Sequence, residues 1–167
     1  GGDGYYRILG DWINNDTFNA GSGTVFLEGG NQLLDGAVST YFFNLILDGT
    51  GEKTLTIDQY CTGALDLKHL ELKTETFAFF MQNTDPLAIS RTTGFVSSLD
   101  GGFLSRATNS SSVYLFPVGS NVGTSRYRPV EITPVNSTSN TFTVRMANVD
   151  ATTEGYDRAL LDTNICE

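Results

Sequence analysis

Basic residues are scarce. Lys and Arg number 10 against 19 Asp and Glu, so the formal net charge is −9 and the pI about 4.4. Phosphate recognition needs clustered cations, so this balance speaks against nucleic acid as a partner and against an anionic membrane surface. There is one histidine, His69, and no Gly-x-Ser-x-Gly elbow, so the usual nucleophile, base and orienting residues of a hydrolase cannot be assembled from these motifs. Two cysteines, Cys61 and Cys166, form no CxxC pair and with His69 make no zinc set. They are compatible with a disulfide in an oxidising compartment or with two independent thiols. No apolar run approaches the roughly 20 residues of a membrane helix. Charged residues are only 17%, and only 4 residues are proline. The chain opens on Gly1 rather than Met and closes on Asn164-Ile165-Cys166-Glu167 without a stop-like tail. It is expected to be a piece of a longer polypeptide.

What is present is β-forming. Gly at 18 residues supplies tight turns, and Thr, Ser and Asn supply the polar surface. Three stretches recur at a ten-residue step: Leu45-Ile46-Leu47, Leu55-Thr56-Ile57 and Leu65-Asp66-Leu67. Each alternates, as a strand with one buried side does. Gly49-Thr50-Gly51 and Thr62-Gly63 punctuate them. Recurrence at a short fixed step predicts a coil that stacks its own turns, with Leu45, Leu55 and Leu65 superposed in one apolar interior. Tyr41 to Leu47 reads as one strong strand, and residues 64–81 as strands rather than helix because of their Thr and aromatic content.

Asn83-Thr84-Asp85-Pro86 is the clearest boundary. Beyond it lie longer strand patterns, with Asp100-Gly101-Gly102 and Asn109 to Ser112 as hairpin loops. Pro117 and Pro129 place their stretches at edges, starts or bulges. One helical turn is expected near Tyr156 to Leu161. The expected fold is all-β: an irregular parallel β-helix-like solenoid over residues 1–85, then an antiparallel β-sheet or sandwich unit over 86–167, incomplete at its C-terminal end. The second unit would cap the open end of the first.

The segment Gly10-Asp11-Trp12-Ile13-Asn14-Asn15-Asp16-Thr17-Phe18-Asn19-Ala20-Gly21-Ser22-Gly23-Thr24-Val25 resembles a motif of large secreted proteins of Bacteroidetes. Phe43-Asn44-Leu45, Leu47 and Gly63-Ala64-Leu65-Asp66-Leu67 fit the same pattern. Phe116-Pro117-Val118-Gly119, followed by Tyr127-Arg128-Pro129-Val130-Glu131-Ile132, is similar to an F-P-V-G…Y-R-P-V element of those proteins. The likeness spans most of the chain, departing at Asp16, where Gly is usual, and at Cys61 inside a repeat. It implies a type IX secretion substrate, released or displayed at the cell surface, and supplies no catalytic residue.

The chemistry-bearing residues each admit a structural role. Asp48, Asp58, Asp66, Glu71 and Glu75 could line one face as acid/base pairs or calcium ligands of a polysaccharide-cleaving β-helix, or serve as a solvated face interleaved with Lys53, Lys68 and Lys73. Calcium is the one cofactor the sequence admits. Asp48 with Glu52 is its best pair, although no Asp-x-Asp-x-Asp-Gly loop exists and no metal set is assigned. Exposed aromatics could stack on sugars: Trp12, Tyr5, Tyr6, Tyr41, Tyr60 and Tyr127 are candidates, with Trp12 and Tyr60 put forward for a glycan-binding module. Arg91, Arg106, Arg126, Arg128 and Arg145 could form a cationic patch or pair with neighbouring acids. The expected function is a non-catalytic extracellular structural or adhesive domain of a larger bacterial surface protein, capable of self-assembly. Its partners would be the rest of that polypeptide, neighbouring copies or surface glycans, without membrane insertion.

Overall fold

At Phe43 the expected strand 41–47 breaks: Tyr41–Phe42 and Asn44–Leu47 belong to different sheets. Such corners turn a chain of short strands into a coil. The computed structural model describes residues 2–98, 101–146, 148 and 150–155, and these form an all-β solenoid of about five turns with an antiparallel region beside it.

The first coil carries β1 (Tyr5–Ile8) and β2 (Trp12–Ile13). The second carries β3 (Thr24–Leu27), β4 (Gln32–Asp35) and β5 (Tyr41–Phe42), and the third β6 (Asn44–Leu47), β7 (Lys53–Leu55) and β8 (Gln59–Cys61). The fourth has β9 (Leu65–Asp66), β10 (Glu71–Lys73) and β11 (Ala78–Met81), and the fifth β12 (Ile89–Ser90), β13 (Phe95–Ser97) and β14 (Phe103–Thr108). Corresponding strands stack in parallel into three faces: β1-β3-β6-β9-β12, β2-β4-β7-β10-β13 and β5-β8-β11-β14. Parallel pairing thus runs past residue 85, the expected end of the solenoid, through all of β14.

The register corrects the ten-residue repeat. Tyr6, Val25, Leu45, Leu65 and Ile89 form one inward column of the first face. Leu55 belongs to the second face, where it pairs with Leu34. One coil therefore takes about twenty residues over three faces: the ten residues from Leu45 to Leu55 lead from the first face to the second, and the ten from Leu55 to Leu65 pass over the third and return to the first. Leu45 and Leu65 superpose as expected; Leu55 does not join them in register. All three still reach one interior, each no more than 1% exposed.

The corners carry hydrogen bonds between coils. The side-chain oxygens of Asp11, Asn15, Asn31, Asn44 and Asp58 accept from the backbone N–H groups of Leu33, Ala37, Glu52, Ala64 and Ala78, each about one coil ahead. Short polar side chains satisfy backbone groups that the ladder leaves free at a bend.

Two cations sit inside. Lys53 points inward with no exposure, and its Nζ lies 2.6–3.0 Å from the carbonyls of Gly29, Gly30 and Thr50 and from Gln32 Oε1. Burial pushes its ammonium below the ordinary lysine range, opposed by the charge of Asp48. It is not part of a neutralising outer face. Arg106, also without exposure, donates to the carbonyls of Leu115, Asp85 and Pro86. Its guanidinium lies over the rings of Tyr114 and Phe116, and burial lowers its pKa to about 10. Arg106 therefore takes no part in a surface cationic patch.

The remaining strands close the far end. β15 (Tyr114–Phe116) pairs antiparallel with β18 (Val130–Ile132), and β16 (Gly119–Ser120) with β17 (Arg126–Tyr127). β19 (Asn140–Val144) runs antiparallel along β14. Tyr114, Phe116 and Val118 join the same buried cluster as the coils, and Val118 bridges to Val96 on β13. Pro117 and Pro129 fall between strands, as their missing N–H requires. The loops at 101–102 and 109–112 are not hairpins: β13 and β14 lie on different faces, and β14 and β15 have different partners. A 3-10 turn occupies Ala151–Glu154, while the helical turn expected over 156–161 lies outside the described residues.

Candidate functional sites on the outer faces

Residues alternate along each strand, so the third face turns Phe42, Cys61, Phe79 and Met81 inward and a second column outward. That outward column is aromatic: Tyr41, Tyr60 and Phe80 stand in register on β5, β8 and β11. The Tyr41 and Tyr60 rings stack with centroids 4.4 Å apart and 9° between planes, and Tyr60 and Phe80 at 4.7 Å and 10°. Phe103 closes the column edge-on at 5.7 Å. Burial, with the neighbouring Tyr41 and Asp58, raises the Tyr60 hydroxyl above the usual tyrosine range. This column could have been found in the sequence as aromatics repeating at the coil length, but a ten-residue reading conceals it.

The two proposed sugar-stacking residues are not brought together. Both ring faces of Tyr60 are covered, by Tyr41 and Phe80. Trp12 packs against Phe18 and Phe42 at the edge of the core, and its Nε1 donates to Thr40 Oγ1 at 2.8 Å. On the column, Tyr41 is 50% exposed and Phe80 half-buried. Beside Phe80 lies an open groove of about 300 Å³, lined by Phe80, Met81, Gln82, Ser105, Ala107 and Thr141.

The carboxylates are spread over structural duties. Asp58 accepts from Ala78 N–H, Asp66 pairs with Lys68 at 3.1 Å, and Asp48 accepts from Gly49 N–H in its own turn. Glu52 reaches Lys73 at 2.8 Å rather than a shared site with Asp48. Among the described residues, no three His, Cys, Asp or Glu side chains gather into a group able to hold a metal ion. Glu71 and Glu75 do meet at one small hole, of about 20 Å³, on the outside of the second face. Of the arginines, Arg91 lies over the Tyr127 ring at 4.0 Å, and Arg126 bonds Asn148.

Cys61 is fully buried, with Sγ near the carbonyls of Phe43 and Ala64, and burial pushes its thiol up to about 12. Cys166, its candidate disulfide partner, lies outside the described residues. Iodoacetamide at mildly alkaline pH should label Cys61 at least about a hundredfold more slowly in the native chain than in urea, because the thiolate is the nucleophile. Peptide mapping separates Cys61 from Cys166. Equal rates in both states would contradict its burial.

No family model matches the chain, and neither the curated proteins nor the solved structures give a significant match.

Proposed function

We propose that the chain is a non-catalytic extracellular domain of a larger secreted or surface-displayed bacterial protein, serving as a stiff spacer with an adhesive face. The observation that supports this most is the unbroken parallel ladder, which runs from the first coil to the fifth on two faces and from the second to the fifth on the third. Each coil adds one strand spacing of about 4.8 Å, and its interior is shared with its neighbours, so the unit resists bending and stretching as a whole. Of the acids that would serve a polysaccharide-cleaving site, Asp58 accepts a backbone N–H and Asp66 is held in an ion pair. Tyr5, Leu9 and Ile13, exposed on the first coil, give a surface on which neighbouring copies could associate.

The test is mechanical. Pulled between cysteines placed at Gly4 and Asn109, the folded chain should hold its length until one cooperative rupture. Coils paid out one at a time at thermal-scale force would contradict the spacer role.

A glycan-binding role is a second reading, favoured by the open groove beside the aromatic column. Gln82, Ser105 and Thr141 offer polar groups beside the Phe80 ring, a combination suited to a sugar's hydroxyls and its apolar side. On a glycan array, binding lost in Thr141→Lys and in Phe80→Ala would support it. Binding unchanged in both would remove it.

A further inference from the structure

The returning segment 119–122 lies across the outside of the second face. Gly119 packs against the Phe95 ring, and Asn121 Nδ2 donates to Glu71 Oε2 at 2.6 Å. Under this segment sits the hole of about 20 Å³, lined by Glu71, Lys73, Glu75, Ser97, Ser98, Ser120 and the apolar Val122. Glu71 is only 5% exposed, and its second oxygen, Oε1, is buried with no hydrogen-bond partner. A buried carboxylate oxygen left without a donor or cation is strongly unfavourable.

The obvious partner is occupied elsewhere. Lys73 points its Nζ at Glu52 Oε2, 2.8 Å away. Among the described residues, Glu71 and Glu75 have no ion-pair partner. Every candidate ligand atom is a hard oxygen: two carboxylates and three serine hydroxyls, the set preferred by calcium over soft metals. A hole near one probe sphere in size admits one ion or one water, and only the ion offsets two negative charges.

We infer that this hole is a binding site for one divalent cation of the calcium class, held by Glu71 and Glu75 with serine oxygens completing the shell. The ion would tie β10 of the fourth coil to Ser120 on β16, fastening the returning segment to the solenoid. This pair is not Asp48 with Glu52, the pair suggested by sequence. The inference stands independently of the spacer role, since a bound ion could fasten the segment in a chain of any function.

The experiment is equilibrium dialysis with calcium alone, paired with thermal melts in calcium and in EDTA, on the full chain. The wild type should bind calcium with a Kd of about 10⁻⁴–10⁻³ M, as extracellular modules do, and melt higher in calcium than in EDTA. Glu71→Gln and Glu75→Gln should each lose one equivalent of bound ion and the calcium-dependent rise, while Glu28→Gln, on the first face, keeps both. Wild type that binds less than one equivalent, or a rise that survives in Glu71→Gln, would overturn the assignment. If Glu71→Gln fails to fold in EDTA, the wild-type stoichiometry and Glu75→Gln decide alone.

Discussion

Leu55→Asp is expected to abolish cooperative folding. Leu55 lies at the centre of the second face, 1% exposed, stacked on Leu34 and opposite the inward leucines of the first face. The substitution removes a buried side chain worth about 1.5–3 kcal/mol and places a carboxylate where no donor waits. Together these exceed about 5 kcal/mol, comparable to the whole stability of many domains. Circular dichroism should show no sigmoidal thermal transition for Leu55→Asp. Leu55→Ile keeps the volume and should lose less than about 1.5 kcal/mol. A melting curve for Leu55→Asp that overlays the wild type would remove the shared interior.

The second large effect is at Lys53. Lys53→Met keeps the apolar stem and deletes only the ammonium. It strands the carbonyls of Gly30 and Thr50 at the corner between the first and second faces, and takes one of their donors from the Gly29 carbonyl and the Gln32 side-chain oxygen, which keep the N–H groups of Thr50 and Gly29. Hydrogen bonds to a charged donor contribute about 1.5–3 kcal/mol each, and water reaches the exposed Gly30 and Thr50, so a loss of about 2 kcal/mol is expected. Urea titration should show a lower midpoint with an unchanged slope. Lys53→Arg should not rescue it, because a planar guanidinium cannot converge on the same acceptors. A midpoint equal to wild type would mean that the ammonium is not needed at this corner.

Lys53 also shows why part of the structure was hidden in the sequence. A lysine among threonines and beside Glu52 reads as solvent-facing, and only the corner geometry reveals that three carbonyls point at one interior spot. The strands themselves were legible, because Val25 and Leu27, Leu45 and Leu47, and Leu104 in its run all alternate with polar or half-buried neighbours. The coil was legible for the same reason, but its length was not. A three-sided coil presents two similar strands about ten residues apart, β6 and β7, whose leucines point into the same core from different faces. Hydropathy alone cannot distinguish that step from a full turn.

The candidate sites were less legible than the fold. Trp12 and Tyr60 share a residue class but not a side of the sheet, since a one-residue change of phase turns a side chain from surface to core. Tyr41, Tyr60 and Phe80 share the outward phase and stack. Glu71 and Glu75 belong to one coil, but the hole they line exists only because residues 119–122 return from far along the chain. Local spacing carries no trace of that contact.

The central claim is that one turn takes about twenty residues, and cross-linking between outward positions tests it without disturbing the core. Ile46 and Asp66 are register partners on adjacent strands of the first face. Cysteines at paired positions on neighbouring strands fall within disulfide reach. In a Cys166→Ser background, the Ile46→Cys/Asp66→Cys protein should oxidise to an intramolecular disulfide under mild conditions, and Ile46→Cys/Thr56→Cys should stay reduced. A disulfide between positions 46 and 56, with none between 46 and 66, would contradict the stacking described above.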